Sequence, residues 1–374
     1  DVWDVAQRWN EEILMLIDTT PSFDLAKFSP TPSLLGGLVL GGCSVAHLVF
    51  TGQILGNSGK IRGMFMESFS SNVAFVSGLV AGGALVRVFA PSLLQPPPSV
   101  TEPGIALRMI VGGVAIGLGT SMANGCTSGH GLTGLSRFSV RSLIAVCSFL
   151  GSGIVFGTLM GSAQAFPPLA EGVAMADLEQ AGVQLAWLAL GGVVLCFVAL
   201  APLHRAKVVP PSVGVPLAKF LILTGFGMGL CLSGMAMPGK LAGFLDVQRW
   251  DPSLLFVLGG AHLLKTPLMQ LWVRVDAPTE ARPRPVYCQD FECRGSDRST
   301  IDFNLVVGAV IFGFGWALTG LCPGPAVVTM VTPPSVLSGE MATAVLVNVC
   351  FVLGGCLHKC LIREALWSGG KKSK

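Results

Sequence analysis

Four of the chain's eleven cysteines, Cys43, Cys126, Cys231 and Cys322, close glycine-rich apolar runs at matching positions. A thiol there offers a weak S–H donor and a polarisable sulfur, suited to meeting another soft sulfur atom, and as a thiolate it would be a nucleophile. TSGHG follows Cys126 and PGP follows Cys322, and neither sequence continues a helix comfortably. A helix that restarts after such a break aims its first N–H groups into the gap, which favours an anion. His130, four residues beyond Cys126, either donates to that anion, orients the thiol or is satisfied structurally. Cys147, Cys196 and Cys350 lie inside uninterrupted apolar runs and read as small packed hydrophobes. Cys288 with Cys293, and Cys356 with His358 and Cys360, are too dispersed to converge as metal ligands, so neither a metal nor another cofactor is expected.

The elements that must position these residues belong in a bilayer. Of 374 residues, 51% are hydrophobic and 12% charged, and mean hydropathy is +0.68, which leaves too little polar surface to wrap a soluble globule of this size. The cysteines lie mostly in apolar segments, so free thiols are expected rather than a disulfide framework. Apolar runs at 34–50, 72–90, 105–122, 140–160, 183–203, 213–232, 253–273, 303–321 and 341–357 predict an all-α polytopic membrane protein with about nine crossings. No G-x-x-x-x-G-K-[ST] loop and no nucleic-acid footprint are present. The chain opens on Asp1 without an initiator methionine, which suggests a processed or trimmed N-terminus.

Basic residues test the count. Lys60 and Arg62, Arg137 and Arg141, Arg205 and Lys207, Arg274 through Arg298, and Lys359 through Lys374 all fall in alternate connections. The positive-inside tendency then places the N-terminus outside and the C-terminus in the cytoplasm, in a cell membrane.

The same register exposes a repeat. Gly37, Gly41 and Cys43 match Gly225, Gly229 and Cys231, and TGQILG after the first resembles PGKLAG after the second. VGGVAIGLGTSMANGC, ending at Cys126, aligns without a gap to VGAVIFGFGWALTGLC, ending at Cys322, and VCSFLG around Cys147 echoes VCFVLG around Cys350. Four crossings, one odd helix and four crossings make an inverted-topology repeat, with broken helices and re-entrant cysteine loops meeting near the midplane. The expected organisation is an interfacial segment over 1–30, a first membrane repeat over 31–162 and a linking loop and helix over 163–207. A second repeat over 208–360, with a cytoplasmic loop over 275–300, and a basic tail over 361–374 complete it. Within the first segment, 2–17 reads as an amphipathic stretch along the interface or as an ordinary packed helix.

Other ionisable groups near or within spans are functional suspects. Arg87 and Arg108 either snorkel or form a cationic vestibule that steers an anion. Lys265 lies deeper and either meets a carbonyl or lines an inner exit, whereas His47 and His262 read as packed or interfacial. Arg137 reads first as a positive-inside anchor.

NGCTSGHGLTGLSRFSVRS (Asn124 to Ser142) resembles the signature loop of the YeeE/YedE sulfur-transport family. SGMAMPGKLAGFLD, WDPSLLFVLGG and GWALTGLCPGPA in the second half look like the partner protein often encoded beside such a half, so the chain resembles a fusion of the two. The resemblance implies import of thiosulfate or a related small sulfur anion, passed along cysteines by S–H···S contacts in a constriction between two vestibules. It places Cys126, Cys322 and Cys43 on that path; Cys231 and His130 join them as candidates from the residues themselves. Implied partners are the anion, the bilayer and a cytoplasmic sulfur-carrier protein. The rival is a membrane thiol enzyme in which Cys126, with His130 as base, takes sulfane sulfur as a persulfide. A purely structural subunit is the third reading.

Overall fold

The computed structural model describes residues 22–23, 28–102, 104–166, 175–273, 284–289, 291, 301–332 and 338–362. The N-terminal stretch over 2–17, Cys293 and the basic tail beyond residue 362 lie outside them. Among the described residues nine helices are long and apolar enough to cross a membrane, each overlapping a predicted run, the eighth extending past its run to Val331.

In chain order, α1 spans Pro30–Thr51, α2 Asn57–Met66, α3 Phe69–Phe89 and α4 Ile105–Met122. The π-wound α5 spans Thr127–Gly134, and α6 spans Val140–Leu159. The odd helix α7 spans Met175–Leu195 and runs on through a π-wound turn and a last turn to Arg205. The second half holds α8 Pro211–Leu232, α9 Pro238–Leu245, α10 Ser253–Pro267 with a π-wound extension to Val273, α11 Phe303–Thr319, α12 Pro323–Val328 and α13 Gly339–Leu357. The only strand pairing among the described residues is two residues long, β1 Ser22–Phe23 on β2 Arg249–Trp250.

The broken helices arise from local chemistry. α4 and α11 are each followed by a residue with positive φ, Asn124 at 56° and Gly320 at 64°, after which Cys126 and Cys322 stand extended as N-caps of α5 and α12. The short α9 and α12 begin on prolines, whose missing N–H is no loss in a first turn.

Helix packing comes in matched pairs. α1 packs on α10 as α8 packs on α3, α4 packs on α13 as α11 packs on α6, and α1–α8 and α4–α11 meet directly, with α7 against both α1 and α8. Small residues permit these approaches: a side-chain carbon at Gly308 would sit 2.8 Å from the Gly119 carbonyl, and one at Gly315 2.7 Å from the Gly112 carbonyl. The third sequence block packs in a register one residue away from its apparent alignment. Gly117 abuts the Phe351 carbonyl as Gly313 abuts that of Phe149, so the counterpart of Phe351 is Phe149, not Ser148, which the sequence match sets opposite it. Cys147 is consequently exposed on its helix while Cys350 is buried.

The connections gather on two faces. On one, Lys359 bonds Glu67 at 2.6 Å, Arg141 meets Asp302 at 3.5 Å, the Cys288 thiol donates to Thr51 O at 3.0 Å and His204 packs on Tyr287. The Lys359 ammonium holds the Glu67 carboxyl below the usual carboxylate range. On the other, the Thr343 hydroxyl donates to Pro98 O and Ala163 N–H donates to Asp246. Each of the basic connections predicted to share a side has described residues on the first face.

Candidate functional site

Both breaks deliver their cysteine to the same place. Cys126 is 1% and Cys322 2% exposed. The Thr127 hydroxyl donates to the Cys322 sulfur at 3.4 Å, and Cys126 Sγ lies 3.2 Å from Ser128 Oγ. Ser128 Oγ in turn accepts from the Asn57 N–H at 3.1 Å, so the start of α2 closes on the same strip. Two half-chains and a short third helix thus converge on a few polar atoms.

A cavity lies on each side of this strip. One, of about 580 Å³, is lined by Lys60, Arg62, Glu67, Asn124, Gly125 and Gly129 among others, and shares its residues with the basic face. The other, of about 120 Å³, is apolar and is lined by Phe149, Leu230, Met235, Phe244, Trp316 and Cys322 among others. Asn57, Thr127, Ser128 and Gly131 line the apolar cavity, while Ser58 and Gly129, their chain neighbours, line the polar one. The strip from Cys126 to Gly131, with the start of α2, is the wall between two cavities of opposite character.

Both ring nitrogens of His130 are engaged by groups other than the thiol. Its Nε2 lies 3.2 Å from Ala123 O, and since a carbonyl only accepts, Nε2 carries the proton and Nδ1 accepts from Ser142 Oγ at 3.1 Å. The ring therefore braces the loop it belongs to. His262 does the same from α10, with Nε2 donating to Gly131 O at 2.9 Å. Lys265 is 1% exposed and spans Ser44 of α1 at 2.5 Å and Thr133 of α5 at 2.7 Å, tying the cysteine loop to two membrane helices. His47 is packed as expected, edge-on to Phe75 and bonded to Gln53 O.

Cys43 and Cys231 do not reach the strip. α1 continues unbroken through Cys43 to Thr51, and the chain breaks at Gly52, which takes positive φ. Cys43 lies fully buried against α8, where a side-chain carbon at Gly225 would meet its sulfur at 3.1 Å. Cys231 is also fully buried, in the last turn of α8, and here the chain does break, at Gly234. Neither lines either of the two cavities. Arg87 donates to Val331 O at 2.6 Å, and Arg108 to Leu318 O and Ala317 O beside the α11 break; neither lines either of the two cavities.

Sequence reasoning did not single out Asn57, Arg62, Thr127 or Ser128 for the site. Thr127 and Ser128 belong to the signature loop, and their adjacency to a thiol was the available signal. Nothing in the chain's pattern marks Asn57, and Arg62 carries the same signal as any cytoplasmic anchor.

Fold and site together define a polytopic helical membrane protein with a buried, thiol-bearing strip between two internal cavities. The sulphur-transport family pattern matches residues 27–156, and a pattern for a family of unknown function matches residues 216–355. A protein of Xylella fastidiosa strain Temecula1, described as a probable transporter, is 42% identical over 130 residues, which is 34% of this chain and 93% of that protein. A second probable transporter from the same strain is 43% identical over 109 residues, 29% of this chain and 68% of that protein. The chain belongs to the sulphur-transport family, and it is a membrane transporter.

Proposed function

We propose that the protein carries thiosulfate, or a closely related small sulfur anion, intact across the membrane, and that the anion passes between the two cavities at Cys126 and Cys322. The observation that carries this reading is the contact from Thr127, in the loop of the first half, to the Cys322 sulfur of the second half, at the wall between the cavities. S–H and O–H donors on a soft, buried surface suit an anion whose terminal sulfur is polarisable and whose other end is a sulfonate. Cys43, Cys231 and His130 act at one remove: the two cysteines pack the helices that frame the strip, and His130 holds its loop. The halves are related as an inverted repeat, with the basic face cytoplasmic and the N-terminus outside a cell membrane, and a cytoplasmic sulfur carrier would collect the anion at the basic face.

The rival persulfide reading needs a base beside Cys126. His130 has one ring nitrogen on a carbonyl and the other on Ser142, which leaves the thiol without it. Uptake of thiosulfate labelled in either sulfur, into vesicles carrying the protein, decides between them. Equal entry of both labels, lost in Cys126→Ala and in Cys322→Ala, is the expected outcome. Entry of the sulfane label alone would establish the thiol enzyme, and undiminished entry in both variants would remove the cysteines from the path.

A further inference from the structure

We propose that Arg62 is the residue that binds the oxyanion end of the substrate, in the polar cavity behind the cysteine strip. The inference deepens the transport reading and rests on it for the identity of the anion, though not for the existence of the site.

Arg62 sits on α2 and is only 8% exposed, yet it lines the cavity of about 580 Å³. Its Nε is fully enclosed with no hydrogen-bond acceptor, and among the described residues no hydrogen bond or ion pair engages its guanidinium. A buried arginine nitrogen left in this way costs stability unless something accepts from it. Glu67, the acid that lines the same cavity, is bound to Lys359 at 2.6 Å. The Arg62 stem is fixed against α13, since a side-chain carbon at Gly355 would meet its Cδ at 2.7 Å. The charge is thus placed in advance rather than waving at the end of a free side chain.

α2 also links Arg62 to the thiols. Its first residue, Asn57, holds Ser128, which meets Cys126, and Asn57 Oδ1 is itself buried without a donor. The helical rise from Asn57 to Arg62 is about 7.5 Å along the axis, comparable to the span of a thiosulfate ion with its first contacts. The apolar cavity, in contrast, has no lysine or arginine among its described lining residues. A two-ended anion is therefore met by sulfur at one end and by a guanidinium fork at the other, and the fork matches two oxygens of a tetrahedral sulfur oxyanion. The ligand class is a small divalent oxyanion of sulfur; sulfate and thiosulfate share the end that Arg62 reads.

The test uses the full chain, purified in detergent, and follows its thermal midpoint in sodium thiosulfate, sodium sulfate and sodium chloride at equal ionic strength. Both sulfur anions should raise the wild-type midpoint over chloride. Arg62→Gln should abolish that rise with the chloride midpoint no lower than wild type, and Arg62→Lys should keep part of the rise. In vesicles, Arg62→Gln should raise the KM for thiosulfate by roughly ten-fold or more, with Arg62→Lys between it and wild type. If both variants keep the full anion-dependent rise, or if Arg62→Lys loses chloride stability as severely as Arg62→Gln while its anion response persists, Arg62 is a structural residue and the proposal falls. Should wild type move no thiosulfate while Arg62→Gln still erases the anion response, the transport reading fails and the anion site stands.

Discussion

At the scale of single residues, the strip works through donors aimed at sulfur. Thr127 donates a hydrogen bond to the Cys322 sulfur, and removing that hydroxyl while keeping shape should cost about 1 kcal/mol, or roughly five-fold in uptake, because one hydrogen bond to a buried acceptor is lost. Thr127→Val measured in vesicles against wild type at equal protein tests this, and unchanged uptake would mean that the bond merely fills space. Cys322→Ser should retain residual transport where Cys322→Ala retains none, since a hydroxyl still donates. A nucleophilic role predicts instead that both are dead. The special place of Cys126 and Cys322 was legible because breakers follow them directly. Cys43 shares its flanking glycine pattern with Cys231, whereas SVAH beyond it contains nothing to stop a helix, and α1 runs on to Thr51. Arg62 was hidden for a different reason: position in a basic connection explains an arginine fully, and only burial without an acceptor sets it apart.

At the scale of elements, close helix contact without a hydrophobic drive depends on small residues. The crossing of α4 and α11 is closed by Gly112, Gly119, Gly308 and Gly315, each abutting backbone of the other helix or its end. Gly308→Leu would set a side-chain carbon against Ala123 N at 2.6 Å. The substitution should cost about 3 kcal/mol or more, at the top of the usual range for overpacking, because backbone rather than a rotamer must yield. Gly191→Leu meets nothing within 4 Å and should be tolerated. Folded yield in detergent, read by size-exclusion chromatography, separates the two, and equal yields would mean that the crossing is looser than described. The nine spans were readable from sequence because each run approaches or exceeds the length that a bilayer demands. The register of α6 against α13 was not, since a one-residue shift barely alters an apolar sequence match yet turns Cys147 out and Cys350 in.

At the scale of the molecule, direct contacts separate two faces, and the charge on them argues which is which. The basic connections touch one another through Lys359 with Glu67, Arg141 with Asp302 and Cys288 with Thr51, while the opposite face is joined by bonds without lysine or arginine, such as Thr343 to Pro98 and Ala163 to Asp246. Lysine and arginine are retained on the cytoplasmic side during insertion, so the polar cavity with Arg62 should open inward and the apolar cavity should lie toward the outside. Cys288 and Cys360 are exposed on the basic face, and Thr101 is exposed on the other. A membrane-impermeant maleimide should therefore leave the native protein unlabelled in intact cells and label it in inside-out vesicles. Thr101→Cys, in a background with Cys288, Cys293 and Cys360 replaced by serine, should show the reverse. Labelling of both faces from one side would contradict an odd number of crossings, and with it the inversion of the second half. The reversed pattern would keep the fold and turn the path around, so that the anion met Arg62 before it met the thiols.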